Sequence, residues 1–436
     1  MSREISFPLS APLPPAETHT LANGVRVVVL PMPWRQTVSL SVFVRTGSLH
    51  EPRRHSGISH VVEHMAFKGT TTRDCQRINL DAERLGAEVN AHTDKDHTAF
   101  HIEGLPGDLP AFVAMLADIV LHSTFPADEL ERERQVILHE LTETEEDPVA
   151  IAFQLLDRAS FGTHPAARPV IGRRADIERL TRDDLLQYVQ RQYGACNVVV
   201  AAAGPVDAAA LLRATEQAFG AMPPGEPNAV PAAQWQGGLL TRAMAGCSQT
   251  QTVVAYEAPP LADEGHLAHV LAATVLGDGM GSPLLDEIRE RRGLAYHVAC
   301  SADVLPWAGQ FVIEAATAPE QAEALLDEVG ALLQRQAERI DPVDLERARR
   351  QLTVRTLRGL EQPGRRLESA VQDLFTFDRL RDPLQWLERL HAVPAGAVRK
   401  VFGQMLERRA AVGLAGSVSL GARRRARLLV GPTARM

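Results

Sequence analysis

Apolar residues in the first half of the chain fall into two kinds of segment that alternate along the sequence. Valine-rich runs bounded by glycine or proline are typical of strands, and they occur at residues 24–32, 37–47, 87–93, 98–105 and 197–204. Apolar residues at helical spacing predict helices at about residues 58–67, 78–86, 109–123 and 128–147. Because the strands come in pairs between helices, the pattern predicts an α+β fold.

The same order of segments recurs in the second half of the chain. SHVVEHM matches AHVLAAT at an offset of 209 residues, RLGAEVNAH matches RRGLAYHVA at 207, and VVVAAAGPVD matches AAVGLAGSVS at 212. These matches pair His60 with His269, Gly86 with Gly293 and Gly204 with Gly416. We therefore predict two homologous halves, each an antiparallel-rich sheet packed with helices, at residues 1–222 and 236–436. A proline-rich linker at 223–235 joins them.

One predicted helix carries polar residues that packing does not explain. The segment HVVEH places His60, Glu63 and His64 among apolar residues, where an unpaired carboxylate costs several kcal/mol. In the second copy, Ala272 and Ala273 stand in the places of Glu63 and His64. The fold tolerates alanine at these positions, so the polar residues of the first copy indicate chemistry.

The spacing of these residues fits a zinc site. His60 and His64 are four residues apart on a helix, so both rings can reach one metal ion. Glu63 lies beside them and can act as a general base toward a zinc-bound water. HxxEH is the reverse of the commoner HExxH motif of zinc peptidases. The alternative is a partly exposed helix with two ordinary histidines.

A third metal ligand is expected from the charged helix at residues 128–147. Glu133 and Glu140 lie on one apolar stripe of this helix, seven residues apart. That separation is roughly 10 Å along a helix axis, so both cannot readily bind one ion. One of the two is expected to be the ligand, and the other to orient a histidine or steer charge.

Composition narrows the class of protein. A chain of 436 residues is too long for one core, and its 45% hydrophobic and 23% charged residues are ordinary for a globular enzyme. The net charge of -8 argues against nucleic acid as the main partner. The sequence shows no secretory signal and no apolar window of about 18 residues. We expect a cytoplasmic protein without a membrane partner.

Together these segments resemble the pitrilysin and insulinase family of zinc metallopeptidases, in short forms similar to the mitochondrial processing peptidase. The resemblance covers nearly the whole chain and includes GISHVVEHMAFKGT, NAHTDKDHTAF and GDGMGSPLLDEIRERRGLAYHV. It implies one Zn²⁺ per chain, two similar α+β halves in each chain, and two such chains that close like a clam around an unfolded peptide. It also implies endopeptidase activity on peptides or extended protein segments. It also implies the role of each matching residue: His60, His64 and Glu140 bind zinc, Glu63 is the general base, Glu133 supports the ligands, and Asn90 holds the substrate main chain.

The chain departs from the family pattern in its second half. Family members usually carry an arginine and a tyrosine there that grip the substrate. This chain keeps Tyr296 but has Pro283 where the arginine is expected. The resemblance therefore implies a homodimer or a heterodimer, in which a related chain supplies the arginine and tyrosine and this chain is the zinc-bearing partner. Tyr296 or the partner's arginine would stabilise the oxyanion of the reaction.

Two other functions remain as alternatives to a zinc endopeptidase, namely a non-catalytic assembly subunit and a peptide-binding clam without turnover. A further group of polar residues, His92, His97 and His101, falls in a strand-like stretch. We interpret these histidines as exposed or substrate-lining, with a second metal site as the alternative.

Overall fold

The computed structural model of the protein describes residues 13–431, and most of the proline-rich amino-terminal segment lies outside them. The first half contains strands β1 (Glu17–Thr20), β2 (Arg26–Pro31), β3 (Val38–Val44), β4 (Glu88–Thr93), β5 (Thr98–Gly104) and β6 (Val198–Gly204). Its helices are α1 (Ile58–Ala66), α2 (Cys75–Arg84), α3 (Leu109–His122), α4 (Ala127–Glu146), α5 (Pro148–Phe161), α6 (Arg174–Ile177), α7 (Arg182–Gln192) and α8 (Ala208–Phe219). Every segment that the hydrophobic pattern predicted there is present.

The second half contains strands β7 (Gly238–Ala243), β8 (Thr250–Ala258), β9 (His297–Val304), β10 (Gly309–Thr317) and β11 (Ala411–Gly416). Its helices are α9 (His266–Gly277), α10 (Pro283–Leu285), α11 (Ala322–Glu338), α12 (Pro342–Leu360), α13 (Pro363–Phe377), α14 (Pro383–Ala392), α15 (Ala395–Glu407) and α16 (Leu420–Val430). Helix α10 follows the glycine-rich GDGMGS segment and continues as a π-helix over Asp286–Arg291.

The strands of each half form one sheet, and the five strands of the second sheet repeat the arrangement of β2 to β6 in the first, which has β1 as an additional edge strand. Among the described residues the strand orders are β1-β2-β6-β3-β5-β4 and β7-β11-β8-β10-β9. Strands β2 and β6 are parallel, as are β7 and β11, whereas their other neighbours pair antiparallel. The predicted α+β fold of two similar halves is confirmed. The boundaries at 222 and 236 remain a prediction.

Paired glycines show how closely the halves correspond. Gly204 ends β6 with φ of +139°, and Gly416 ends β11 with φ of +91°. A Cβ atom on Gly204 would lie 2.7 Å from the carbonyl oxygen of Thr37, and one on Gly416 would lie 2.4 Å from that of Gln249. Only glycine fits either place, since the backbone of the neighbouring strand occupies the space that a side chain needs.

The two halves exchange a helix. Helix α5 of the first half packs on the second sheet, where Ile151 and Leu156 join a buried cluster with Val253 and Val312. Helix α13 of the second half packs on the first sheet, where apolar residues from both halves form a second such cluster: Leu367, Val371, Leu374, Leu30, Phe43 and Val199. Each half therefore covers one face of the other half's sheet. This face is the one opposite to that on which α1 or α9 packs.

No helix within residues 13–431 combines the length and the apolar character that are needed to cross a membrane.

Candidate active site

Helix α1 begins at a buried carboxylate. Its first residues follow Gly57, whose φ of +98° and close approach to the carbonyl oxygen of Ile171 leave no room for a side chain. The Glu51 carboxylate accepts hydrogen bonds from the Gly57 N–H at 2.8 Å and the Ser59 N–H at 3.0 Å. Burial raises the pKa of Glu51 to about 7, although both hydrogen bonds oppose the rise. Glu51 therefore fixes the start of the helix that carries the HVVEH segment.

Glu51 is expected to make stability fall as pH rises. Its folded-state pKa of about 7 lies above the ordinary 4.5, so the native state retains a proton that the unfolded chain has released. The resulting stabilisation is complete below pH 4.5 and is lost as the pH rises through 7, by up to about 3 kcal/mol. Urea unfolding of the wild type and Glu51→Gln, from about pH 5 to about pH 8 with a chelator present, measures this difference. Equal pH dependence of the two proteins would contradict the raised pKa.

The two faces of α1 have different environments. Ile58, Val61, Val62 and Met65 are buried in the main core of the first half, as predicted. His60, Glu63 and His64 are half-buried on the opposite side of the helix, which α4 and strand β4 border. The apolar face anchors the helix, and the polar face lines a cleft of about 500 Å³.

Three donor atoms converge on this polar face. The Nε2 atoms of His60 and His64 are 3.2 Å apart, and the Glu140 Oε2 atom lies 3.9 Å from the first and 3.6 Å from the second. Ligand atoms around a tetrahedral zinc ion with bonds of about 2.0–2.2 Å are separated by about 3.3–3.5 Å. His60, His64 and Glu140 therefore fit a zinc ion with little rearrangement.

Glu133, which precedes Glu140 on α4 by seven residues, orients His64. The Nδ1 atom of His64 lies 3.0 Å from Glu133 Oε2, and Lys68 Nζ lies 2.5 Å from Glu133 Oε1. Burial alone would raise the pKa of Glu133, but the hydrogen bonds from Lys68 and His64 outweigh it and lower the pKa. An ionised Glu133 accepts a hydrogen bond from the Nδ1–H group of His64, which leaves the Nε2 lone pair directed at the donor cluster.

The sequence left open how two glutamates seven residues apart serve one site. Glu133 faces the Nδ1 side of the His64 ring and Glu140 faces the Nε2 side, so the imidazole spans the distance between them. His60 is neutral in these surroundings, because burial and the nearby His64 lower its pKa to about 4. Neutral imidazoles are the form that binds metals.

Glu63 lies beside the donor cluster and on the cleft wall. Its Oε2 atom accepts a hydrogen bond of 2.8 Å from the Thr93 hydroxyl at the end of β4. Burial raises the pKa of Glu63 despite that hydrogen bond, and the negative charge of Glu140 adds to the rise. A carboxylate with a raised pKa is suited to accept and return a proton near neutral pH.

The remaining predicted site residues lie away from this cluster. Asn90 is exposed on β4 and accepts a hydrogen bond from the Ala91 N–H; strand alternation places it on the sheet face opposite Thr93. Tyr296 precedes β9 in the second half, and 80% of its surface is exposed. Thus the structure brings together the predicted ligands, the base and Glu133, but not Asn90 or Tyr296.

Sequence reasoning missed three partners of these residues. Lys68 lies just after the end of α1, and only the packing of α1 against α4 brings it to Glu133. Thr93 lies in the strand predicted at residues 87–93, but only tertiary packing brings its hydroxyl to Glu63. The Arg289 guanidinium lies over the Tyr296 ring, 4.7 Å from its centroid, so an arginine accompanies the tyrosine although Pro283 takes the expected position.

The equivalent place in the second half is closed. Ala272 and Ala273 on α9 are fully buried and share a core with Ala348 of α12. His269 remains, but its Nδ1 atom is 3.1 Å from the Gly265 carbonyl oxygen of its own helix. Close packing of small side chains fills the space where the first half places its donor cluster.

Comparisons with known proteins agree with this arrangement. The family model described as Insulinase (Peptidase family M16) matches residues 26–174, and that described as Peptidase M16 inactive domain matches residues 179–352. A Mycobacterium bovis protein named an uncharacterized zinc protease is 31% identical over 406 residues, which cover 92% of each chain. This chain belongs to peptidase family M16, and the resemblance found in the sequence is confirmed.

A further sequence relative and a solved structure also match this chain. A probable mitochondrial-processing peptidase subunit beta of Schizosaccharomyces pombe is 37% identical over 212 residues, or 49% of this chain and 46% of that protein. The solved structure of a protease from Helicobacter pylori has a TM-score of 0.86 at 22% identity, covering 92% of this chain and all of that one. The second likeness supports the fold, and the name of the first shows that the family includes subunits of larger enzymes.

Proposed function

We propose that the chain is a zinc-dependent endopeptidase of the HxxEH type, with His60, His64 and Glu140 as the zinc ligands. The convergence of their three donor atoms to separations of 3.2, 3.6 and 3.9 Å beside Glu63 carries this proposal. A bound zinc ion would polarise the scissile carbonyl and acidify a water molecule. Each chain has one zinc site of this type, because the corresponding positions of the second half hold buried alanines.

Glu63 moves the proton in this proposal. Its carboxylate takes a proton from the attacking water and passes it to the leaving amine. The Thr93 hydroxyl holds the carboxylate at the cleft wall, and burial keeps its pKa above the ordinary value. Glu133 keeps the His64 ring in place throughout, since its carboxylate accepts a hydrogen bond from the Nδ1–H group.

An extended peptide is the proposed substrate. Strand β4 is the last strand of its sheet and pairs only with β5 among the described residues. Its free edge runs past Thr93 beside the cleft, and an unpaired strand edge binds extended chains through main-chain hydrogen bonds. We infer that Asn90, which is exposed on the other face of the same edge strand, holds the substrate main chain. Folded proteins cannot present such an extended segment.

We further infer that a second, related chain completes the site. The exposed Tyr296 and the half-buried Arg289 form a pair in the second half, and the cleft at the proposed zinc ligands is lined by residues of the first half. Donors for the oxyanion therefore have to come from a neighbouring chain, in a homodimer or a heterodimer. This chain would be the zinc-bearing member of such a pair.

Peptide cleavage tests both parts of the proposal. The purified chain, freed of metal and reloaded with zinc, is assayed on unstructured fluorogenic peptides, alone and with a related chain that bears the arginine and tyrosine. Cleavage that requires zinc and rises on addition of that chain is the expected result. Full activity of a monomer would refute the shared site. Peptide binding without turnover under every condition would favour the non-catalytic alternatives.

A further inference from the structure

A second group of donor atoms lies on the other face of the first sheet. His92 is the last residue but one of strand β4, His97 directly precedes β5, and Glu368 extends from α13 of the second half. Glu368 Oε1 is 3.2 Å from His92 Nε2, and Glu368 Oε2 is 3.3 Å from His97 Nε2. One donor atom from each of the three residues lies within 4.8 Å of the others.

The hydrogen bond at Nδ1 of His97 determines which of its ring nitrogens can bind a metal. Its Nδ1 atom is 2.8 Å from Asp96 Oδ1, so the Nδ1–H group donates a hydrogen bond to that carboxylate. A histidine that gives one ring N–H to a carboxylate has its other nitrogen prepared for a metal. In His97 this other nitrogen, Nε2, faces the Glu368 carboxylate. A lone pair facing a carboxylate is repulsive, so a cation is required between them.

The cation could be a proton on His97, but the geometry argues against one. The His97 side chain is only 6% exposed, and its Nε2 atom has no hydrogen-bond partner of acceptable direction in the described residues. Glu368 is close enough to attract a charge but lies off the line of an N–H bond. The same arrangement suits an ion placed between the two histidines and the carboxylate.

The surroundings agree with a bound cation. Asp96 and Glu368 place a carboxylate on each side of the His97 ring, at 2.8 Å from Nδ1 and 3.3 Å from Nε2. His92 and Glu368 are 41% and 37% exposed, which leaves one side of the cluster open to a water ligand. The His101 ring lies 5.7 Å from that of His92, at the border of the cluster.

We propose that His92, His97 and Glu368 form a second site for a divalent transition metal of the zinc class. Two imidazoles and one carboxylate are a donor set that zinc accepts. The ligands come from both halves, so the ion fastens β4, the strand at the edge of the cleft, to helix α13. The ion thereby holds in place the strand that carries Thr93 and Asn90. The site is independent of the proposed ligands His60, His64 and Glu140.

Zinc content measured in a background without the first site tests this proposal. The full chain with His60→Ala and His64→Ala is dialysed against micromolar zinc and analysed by mass spectrometry. It is expected to retain about one zinc per chain, and adding Glu368→Gln is expected to abolish this binding. Glu361→Gln, at an exposed position before α13, serves as the matched control and leaves the zinc content unchanged.

Two outcomes would overturn the second site. A double variant that is folded by circular dichroism but retains no zinc shows that a proton holds the cluster. Zinc that persists after Glu368→Gln shows that the ion binds elsewhere. If the double variant does not fold, the single change Glu368→Gln in the wild type decides, since it is expected to lower the zinc content from about two ions to about one. Neither result bears on peptide cleavage, so the two proposals fail separately.

Discussion

Replacing Glu63 by glutamine is expected to abolish peptide cleavage while the zinc remains bound. Glutamine has nearly the same shape and can still accept the hydrogen bond from Thr93, but it cannot take a proton from water. Loss of a general base costs about 10²- to 10⁴-fold in rate. The measurement is kcat on a fluorogenic peptide, together with zinc content, at saturating substrate.

The control for this change is a glutamate on the neighbouring helix. Glu146 is exposed at the end of α4, so Glu146→Gln is expected to leave both activity and zinc content unchanged. A Glu63→Gln enzyme with near wild-type kcat would remove Glu63 from the reaction. Simultaneous loss of the metal would instead mean that Glu63 is a ligand, which would revise the proposed ligand set.

The second large effect is expected from His64→Ala. This ring contacts both glutamates of α4, through Nδ1 to Glu133 and through Nε2 toward Glu140. Its removal deletes one ligand and leaves the buried, ionised Glu133 with only Lys68 as a partner. We expect zinc affinity to fall by more than about 100-fold, which exceeds the effect of losing a supporting contact, and cleavage to fall to background.

Glu133→Gln separates the two roles of that contact. The neutral amide still contacts the His64 ring but is a weaker hydrogen-bond acceptor than a carboxylate. Zinc affinity is therefore expected to fall by about 10- to 100-fold, with partial activity at high zinc.

His139→Ala is the matched control for His64→Ala, because His139 adjoins Glu140 in sequence but is 78% exposed on the far side of α4. Equal zinc affinities of His64→Ala and wild type, measured by competition with a chelator, would refute the ligand assignment.

Local patterns predicted the elements that carry the site. The periods of apolar residues located α1, α4 and β4, and the two halves were visible as repeated segments with nearly constant offset. The comparison of HVVEH with its alanine-bearing copy indicated chemistry before any geometry was known. Helical spacing also placed Glu133 and Glu140 on one face, because residues of a single helix have fixed relative positions.

Contacts between distant segments could not be predicted in this way. Glu368 lies far along the chain from His92, and only the packing of α13 on the first sheet brings them together. His97 was expected to be exposed or substrate-lining, but that prediction is wrong because the same helix buries it. The stacking of Arg289 on Tyr296 depends on the π-helical turn that follows α10, and no simple period in the sequence marks such a turn.

The helix exchange makes the second half necessary to the first, although the equivalent place in the second half holds alanines. Helices α5 and α13 occupy the same place in the two copies, each directly after its equivalent long helix, α4 or α12. The exchange depends on packing and not on a donor cluster, so alanine at positions 272 and 273 is compatible with it. Loss of α13, by contrast, would expose the face of the first sheet that lies behind β4 and the candidate site.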